Sequence, residues 1–139
     1  MKRVFLSFAD IDAPKVKRLL PLLESPEYEL DYYYGPLDMD IEAQGAEAIK
    51  QVIGEKIVKC GITVCLISEN TYKSKWVDSQ LQKSRNKGNR IIAMALKGTV
   101  DAVLPVAVRE LNLAFYPWDP PRLKKFIAEE INKLFDNAL

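Results

Sequence analysis

Short apolar runs alternate along this chain with segments in which apolar residues recur every three or four positions. The runs Val4 to Phe8, Tyr28 to Tyr34, Ile62 to Ile67, Arg90 to Leu96 and Leu113 to Trp118 have the length and the β-branched or aromatic content of buried strands. Between the first two, Asp12 stands where it can cap a helix, Pro14 falls in the first turn, and Val16, Leu19, Leu20 and Leu23 make one apolar face. Pro21 is expected to kink or shorten that helix, because it lacks the amide donor an interior turn needs. Gly35-Pro36 marks a loop. From Ile41 to Val58 the spacing of Ile49, Val52, Ile53, Lys56 and Ile57 predicts a helix laid on a sheet. A further helix begins near Ser74 with Val77 and Leu81 on its buried side, and Asn86 to Asn89 ends it. Val103 to Leu111 reads as a short, proline-interrupted helix. Pro120-Pro121 opens a last helix in which Leu123, Phe126, Ile127, Glu130, Ile131 and Leu134 recur at helical spacing.

Five strands separated by helices imply a parallel sheet, since parallel neighbours need crossover connections. The predicted fold class is α/β: a flavodoxin-like, doubly wound five-stranded sheet in the order 2-1-3-4-5 with helices on both faces. No repeat, low-complexity run or linker divides residues 1–139, so a single domain is expected. This strand order puts the switch point between the first and third strands. The ligand crevice should then be lined by residues after Phe8 and after Ser68.

Composition narrows the chemistry. With 139 residues, 48% of them hydrophobic, the chain is long enough to bury a core. Twenty basic and 19 acidic residues give a formal charge of +1, which offers no field for nucleic acid or an anionic membrane. There is no histidine, so triad hydrolases and histidine-ligated zinc are excluded, and no metal site or resident cofactor is expected. Cys60 and Cys65 lack the spacing of a redox or zinc pair, and Cys65 lies inside an apolar strand. Neither a signal peptide nor a membrane-length run is read, and a cytoplasmic location is expected.

The most informative local pattern is Ser74-Lys75-Trp76-Val77 with Gln80 one helical turn after the tryptophan. It follows the strand Ile62 to Ile67 and Ser68, so it sits where ligands bind in open α/β sheets. Residues four apart share a helix face, so the indole of Trp76 and the amide of Gln80 are expected in one cleft. The opening Val4-Phe5-Leu6-Ser7-Phe8, the run Ile62 to Ser68, the segment Asn70 to Val77 and the strand Arg90 to Leu96 together resemble a TIR-like domain. They are most similar to the small stand-alone bacterial and archaeal proteins that include the signalling subunit of the Thoeris anti-phage system.

That resemblance implies cleavage of the nicotinamide-ribose bond of NAD, with hydrolysis or cyclisation to a cyclic ADP-ribose type messenger. It also implies a homo-oligomer or activation-dependent self-association. NAD is then a substrate. In the enzymatic members a catalytic glutamate stands four residues after the tryptophan; here that position is Gln80. A carboxylate can stabilise the positive charge that develops on the ribose and accept a proton, whereas an amide keeps the size and hydrogen bonding but is neither an anion nor a useful base. Gln80 is open to three accounts: a deliberate isosteric substitution, a natural loss of catalysis, or a functional carboxylate elsewhere. Asp78 is the nearest acid, but residues two apart do not share a face.

Other candidates for the substrate site are Ser7, Phe8, Ala9 and Asp10 around the end of the first strand, and Ser74 and Trp76 at the start of the later helix. Tyr34 and Asp38 lie in the loop Tyr34 to Asp40, which the resemblance places near the site and in self-association. Each has a plain structural reading beside the functional one: Phe8 as core, Trp76 as padding, Asp10 and Asp12 as helix caps, Ser7, Ser68 and Ser74 as hydroxyls at strand and helix ends. No glycine-rich phosphate cradle is present, so a pyrophosphate would rest on backbone amides and helix starts. The tyrosines around the second strand suggest an exposed aromatic edge suited to pairing. The alternative function is a non-enzymatic TIR-TIR interaction module, without nucleic acid or membrane as partner. An electron carrier or response regulator is disfavoured, since neither a flavin phosphate loop nor a receiver's acidic pocket is present.

Overall fold

The first strand shows how the sequence sorts itself between two layers. Successive side chains of a strand point to opposite faces. Val4, Leu6 and Phe8 accordingly enter one core with Val16, Leu23, Leu123 and Ile127, while Phe5 enters another with Ile53, Ile57 and Trp76. In this computed structural model, which describes residues 2–33, 35, 37 and 39–138 with side chains as far as residue 133, the elements run in strict alternation. They are β1 (Lys2–Ser7), α1 (Ala13–Leu23), β2 (Tyr28–Asp31), α2 (Ala46–Lys59), β3 (Ile62–Ile67), α3 (Lys75–Lys87), β4 (Arg90–Ala95), α4 (Val106–Glu110), β5 (Phe115–Tyr116) and α5 (Pro120–Ala138), with 3-10 turns at Asp10–Asp12 and Thr71–Lys73.

Every strand pairing is parallel, and the order is β2-β1-β3-β4-β5, as the alternation of elements predicts. Val4 lies between Leu30 of β2 and Ile62 of β3, and Ser7, the last residue of β1, lies beside Cys65. Helices α1 and α5 cover one face; α2, α3 and α4 cover the other. All six residues of β3 are buried, as befits the central strand. The edge strand β5 has only two residues. Arg122 of α5 caps that edge, lying 4.7 Å from the Tyr116 ring and 5.3 Å from that of Phe126.

Several boundaries differ from the sequence expectations. Helix α1 runs through Pro21 to Leu23, and its last turn is kept by Glu24 N–H donating to the Leu20 carbonyl at 3.0 Å. Asp12 holds the cap position of α1, yet its side chain makes no cap bond and instead accepts from Ser68 Oγ at 2.5 Å. Helix α2 starts at Ala46 rather than near Ile41, because Gly45 takes a left-handed φ of 92° and the chain turns between Asp40 and Ala43. Val52, expected on the buried face, is 45% exposed. Strand β2 stops at Asp31, and the aromatic edge expected there is turned inward: Tyr28 and Tyr32 belong to the core. Helix α3 ends in a glycine cap, with Gly88 at φ 90° and Asn89 N–H reaching the Ser84 carbonyl at 2.9 Å.

Candidate functional site

Two hydroxyl contacts fix α3 against the sheet from behind. Ser84 Oγ lies 2.7 Å from Thr63 Oγ1 of β3 and donates to the Gln80 carbonyl at 2.9 Å. One turn earlier, Ser7 Oγ at the end of β1 donates to Gln80 Oε1 at 2.6 Å. Ser7 is wholly buried and Gln80 is 4% exposed. Seventy-three residues apart in sequence, they meet because β1 and α3 are neighbours across the α2-α3 face. Polar groups so deeply buried are tolerated when paired, and here the Ser7 hydroxyl pairs with the Gln80 amide oxygen.

Gln80 opens onto two cavities. A cleft of about 130 Å³ lies beyond the carboxyl ends of β1 and β2, walled by Phe8, Tyr32, Tyr33, Lys17, Asp10 and Gln80. Phe8 and Tyr32 form a tilted pair, 5.9 Å between centroids. On the other side, a groove of about 830 Å³ between α2 and α3 is bordered by Trp76, Gln80 and Lys83 facing Lys50 and Gly54. A third depression, about 470 Å³, runs over the ends of β1 and β3 and is lined by Ala9, Asp10, Asn70, Lys73, Ser74 and Trp76. It shares Asp10 and Leu37 with the small cleft and Trp76 with the groove. This third depression occupies the switch point between β1 and β3, where the Asp12 to Ser68 bond ties the two loops together.

Ser7 stands behind Gln80 rather than in a cavity wall. Phe8 walls the small cleft, Ala9 the switch-point depression, and Asp10, exposed, both of them. Ser74 caps α3 by accepting from Val77 N–H at 3.2 Å, a structural role at the helix start. Trp76 is only 5% exposed; its indole N–H donates to the Met39 carbonyl at 2.9 Å and its ring packs with Ile41, Ala46, Ile53 and Ile57. Trp76 and Gln80 do line one cavity, the helix groove, but only Gln80 reaches the small cleft. Tyr34 and Asp38 lie outside the described residues.

Lys17, Tyr32 and Tyr33 were not singled out from the sequence. The two tyrosines directly follow the strand beside β1, a position that the parallel order itself marks as the carboxyl rim. Lys17 carries no such signal, because its reach into the cleft depends on how α1 rotates. Gly35 serves the same wall: a Cβ there would stand 2.5 Å from the Tyr33 hydroxyl. Among the described residues no group of His, Cys, Asp and Glu is arranged to hold a metal ion. No described helix is long and apolar enough to cross a membrane.

The family model described as Thoeris protein ThsB, TIR-like domain, matches residues 5–101, from β1 through the loop after β4. The chain belongs to the ThsB TIR-like family. In this ThsB-type domain the match takes in the whole Ser7, Trp76 and Gln80 constellation, while α4, β5 and α5 lie beyond it. Among solved structures, the fold is similar to Clostridium botulinum CMP N-glycosidase, BcmB. The TM-score is 0.57 and the identity 17%, over 90% of this chain and 98% of that one. It is also similar to the TIR domains of the activated Roq1 resistosome that recognises the pathogen effector XopQ. There the TM-score is 0.52 and the identity 20%, over 73% of this chain and 60% of that one. At these identities the likeness is one of fold. A sequence search of curated proteins gives no match.

Proposed function

We propose that this ThsB-type domain binds a nucleotide at the carboxyl rim of its sheet and belongs to the class that cleaves N-glycosidic bonds, with NAD as substrate and a cyclic ADP-ribose type messenger in anti-phage signalling as product. The single observation that carries this reading is Gln80: a buried polar side chain, clamped by Ser7, opening into a cleft at the rim in a chain of this family. A cavity of roughly 150 Å³ accepts a benzene-sized ring. The cleft of about 130 Å³ therefore suits one ring, with the remainder of a dinucleotide lying along the adjoining depression past Asp10.

Breaking the bond sends its electron pair to the departing ring nitrogen, which leaves nicotinamide neutral, and positive charge develops on the ribose. Water, or the adenine of the same molecule, then bonds to the vacated carbon and gives up a proton. A carboxylate at position 80 would oppose that charge and take that proton; the Gln80 amide does neither, so turnover in this chain is reduced while binding is retained. The same residue favours the second reading, a non-enzymatic module that pairs one TIR-like domain with another.

The deciding assay incubates the chain and its Gln80→Glu form with NAD, and with CMP because of the BcmB fold likeness, followed by chromatography of products and calorimetric binding. NAD consumed by the Glu form and only bound by the Gln form supports the proposal. Absence of binding to either form, with the folded protein shown to self-associate, favours the interaction module.

A further inference from the structure

We infer that Ser7 is a positioning residue for side chain 80: its hydroxyl holds the carboxamide oxygen back against β1 and leaves the amino group to face the open space that Gln80 lines. Ser7 is wholly buried, so it acts only through Gln80. From the other side, Ser84 holds the Gln80 carbonyl while braced on Thr63, so the backbone of that turn is fixed as well. Gln80 Nε2 makes no hydrogen bond among the described residues. Among their buried side-chain polar atoms only Thr99 Oγ1 is without a partner, so Nε2 reaches open space in the cavities that Gln80 lines, the small cleft and the helix groove.

The consequence is chemical, and it rests on the proposed reading that the space beside Gln80 is a ligand site. Residue 80 offers a ligand N–H donors and no acceptor, so it selects an oxygen acceptor, such as a carbonyl or a ribose hydroxyl oxygen. An unclamped amide could reverse and offer its oxygen instead. With glutamate at this position, the same hydroxyl would stabilise the charged form.

The test therefore begins without ligand. The carboxyl of Gln80→Glu is titrated by carbon-13 NMR with Ser7 present and with Ser7→Ala. The expected result is a pKa higher by about one unit or more when the hydroxyl is lost. Charged or titratable groups line the two cavities at this position from each neighbouring element: Asp10 before α1, Lys17 of α1, Tyr32 and Tyr33 after β2, Glu47, Lys50, Glu55 and Lys59 of α2 and Lys83 of α3. They are the same in both proteins, so the difference isolates the hydroxyl. Ser7→Thr, which keeps the hydroxyl, should restore the lower value. If Ala at this buried position prevents folding, Ser7→Cys, of similar size and a weaker donor, gives the same reading. An unchanged titration in the folded protein overturns the inference, whether or not any nucleotide binds. Without the glutamate, Ser7→Ala should weaken NAD binding about tenfold with Gln80 present and leave it unchanged beside Gln80→Ala. Equal loss in both backgrounds would make Ser7 a packing residue only. Loss of NAD binding by every form, with the titration still shifted, would retire the substrate and keep the clamp.

Discussion

Gln80 and Trp76 share a helix face, but the structure divides their work. The indole N–H is already committed to the Met39 carbonyl, so Trp76 ties the β2-α2 connection down onto α3. Trp76→Phe keeps most of the buried ring and removes the donor. Limited proteolysis should then cut the segment around Met39 at least several-fold faster, with global stability falling by about 1 kcal/mol, the usual worth of one such bond. Cutting at an unchanged rate would mean that the bond does not restrain the segment. At position 80 the expected contrast is larger. Gln80→Glu should raise NAD turnover by at least about a hundredfold, the range for a positioned acid or base. A Glu form as slow as the Gln form would place the functional carboxylate elsewhere or remove the enzyme reading.

Between β1 and β2 the weak point is the end of α1, where Pro21 withholds one donor and the Leu23 carbonyl has no helical partner beyond it. Tyr28 supplies the missing partner, donating its hydroxyl to Leu23 at 2.5 Å from the start of β2. Tyr28→Phe should cost about 1–3 kcal/mol, read as a lower denaturant midpoint at unchanged slope, because a buried carbonyl is left unpaired. This contact and the Glu24 N–H bond to the Leu20 carbonyl hold the turn past Pro21, which spacing alone could not reveal. The strand order and the faces of the helices were legible from apolar runs and three-to-four spacing, since burial dictates both. What escaped the sequence depends on tertiary partners: Asp12 giving up its cap for Ser68, Tyr32 turning inward on Phe8, Lys17 reaching the cleft. The position of Gln80 was legible from a local motif, whereas its clamp was not, because Ser7 is 73 residues away.

For the molecule as a whole, the acid-base behaviour is set by what is missing and what is buried. With no histidine, little titrates between about pH 6 and 8, and stability should be flat there. Burial pushes the Cys60 thiol up to about 11 from 9.0, and the Tyr28 hydroxyl up to about 12 from 10.0. Cys65, deeper in the sheet, is pushed further in the same direction by the same cause. In each case the unfolded chain loses its proton first. The stabilisation is complete below the unfolded value and is lost as pH rises toward the folded one. Denaturant midpoints should therefore begin to fall above about pH 9 and keep falling through about pH 12. Midpoints that stay level over that window would contradict the burial. At pH 8 both thiols should react with a thiol reagent only on unfolding, since neither is a thiolate in the folded chain.

The pairing of Ser7 with Gln80 has a bearing on descent as well as on chemistry. A hydroxyl that can donate to an amide oxygen can donate equally to a carboxylate oxygen of the same shape, so the surrounding packing suits both residues. Glutamine and glutamate codons differ at a single base. On the proposed reading of position 80, lineages built on this scaffold can thus cross between a silent form and an active one in a single mutational step.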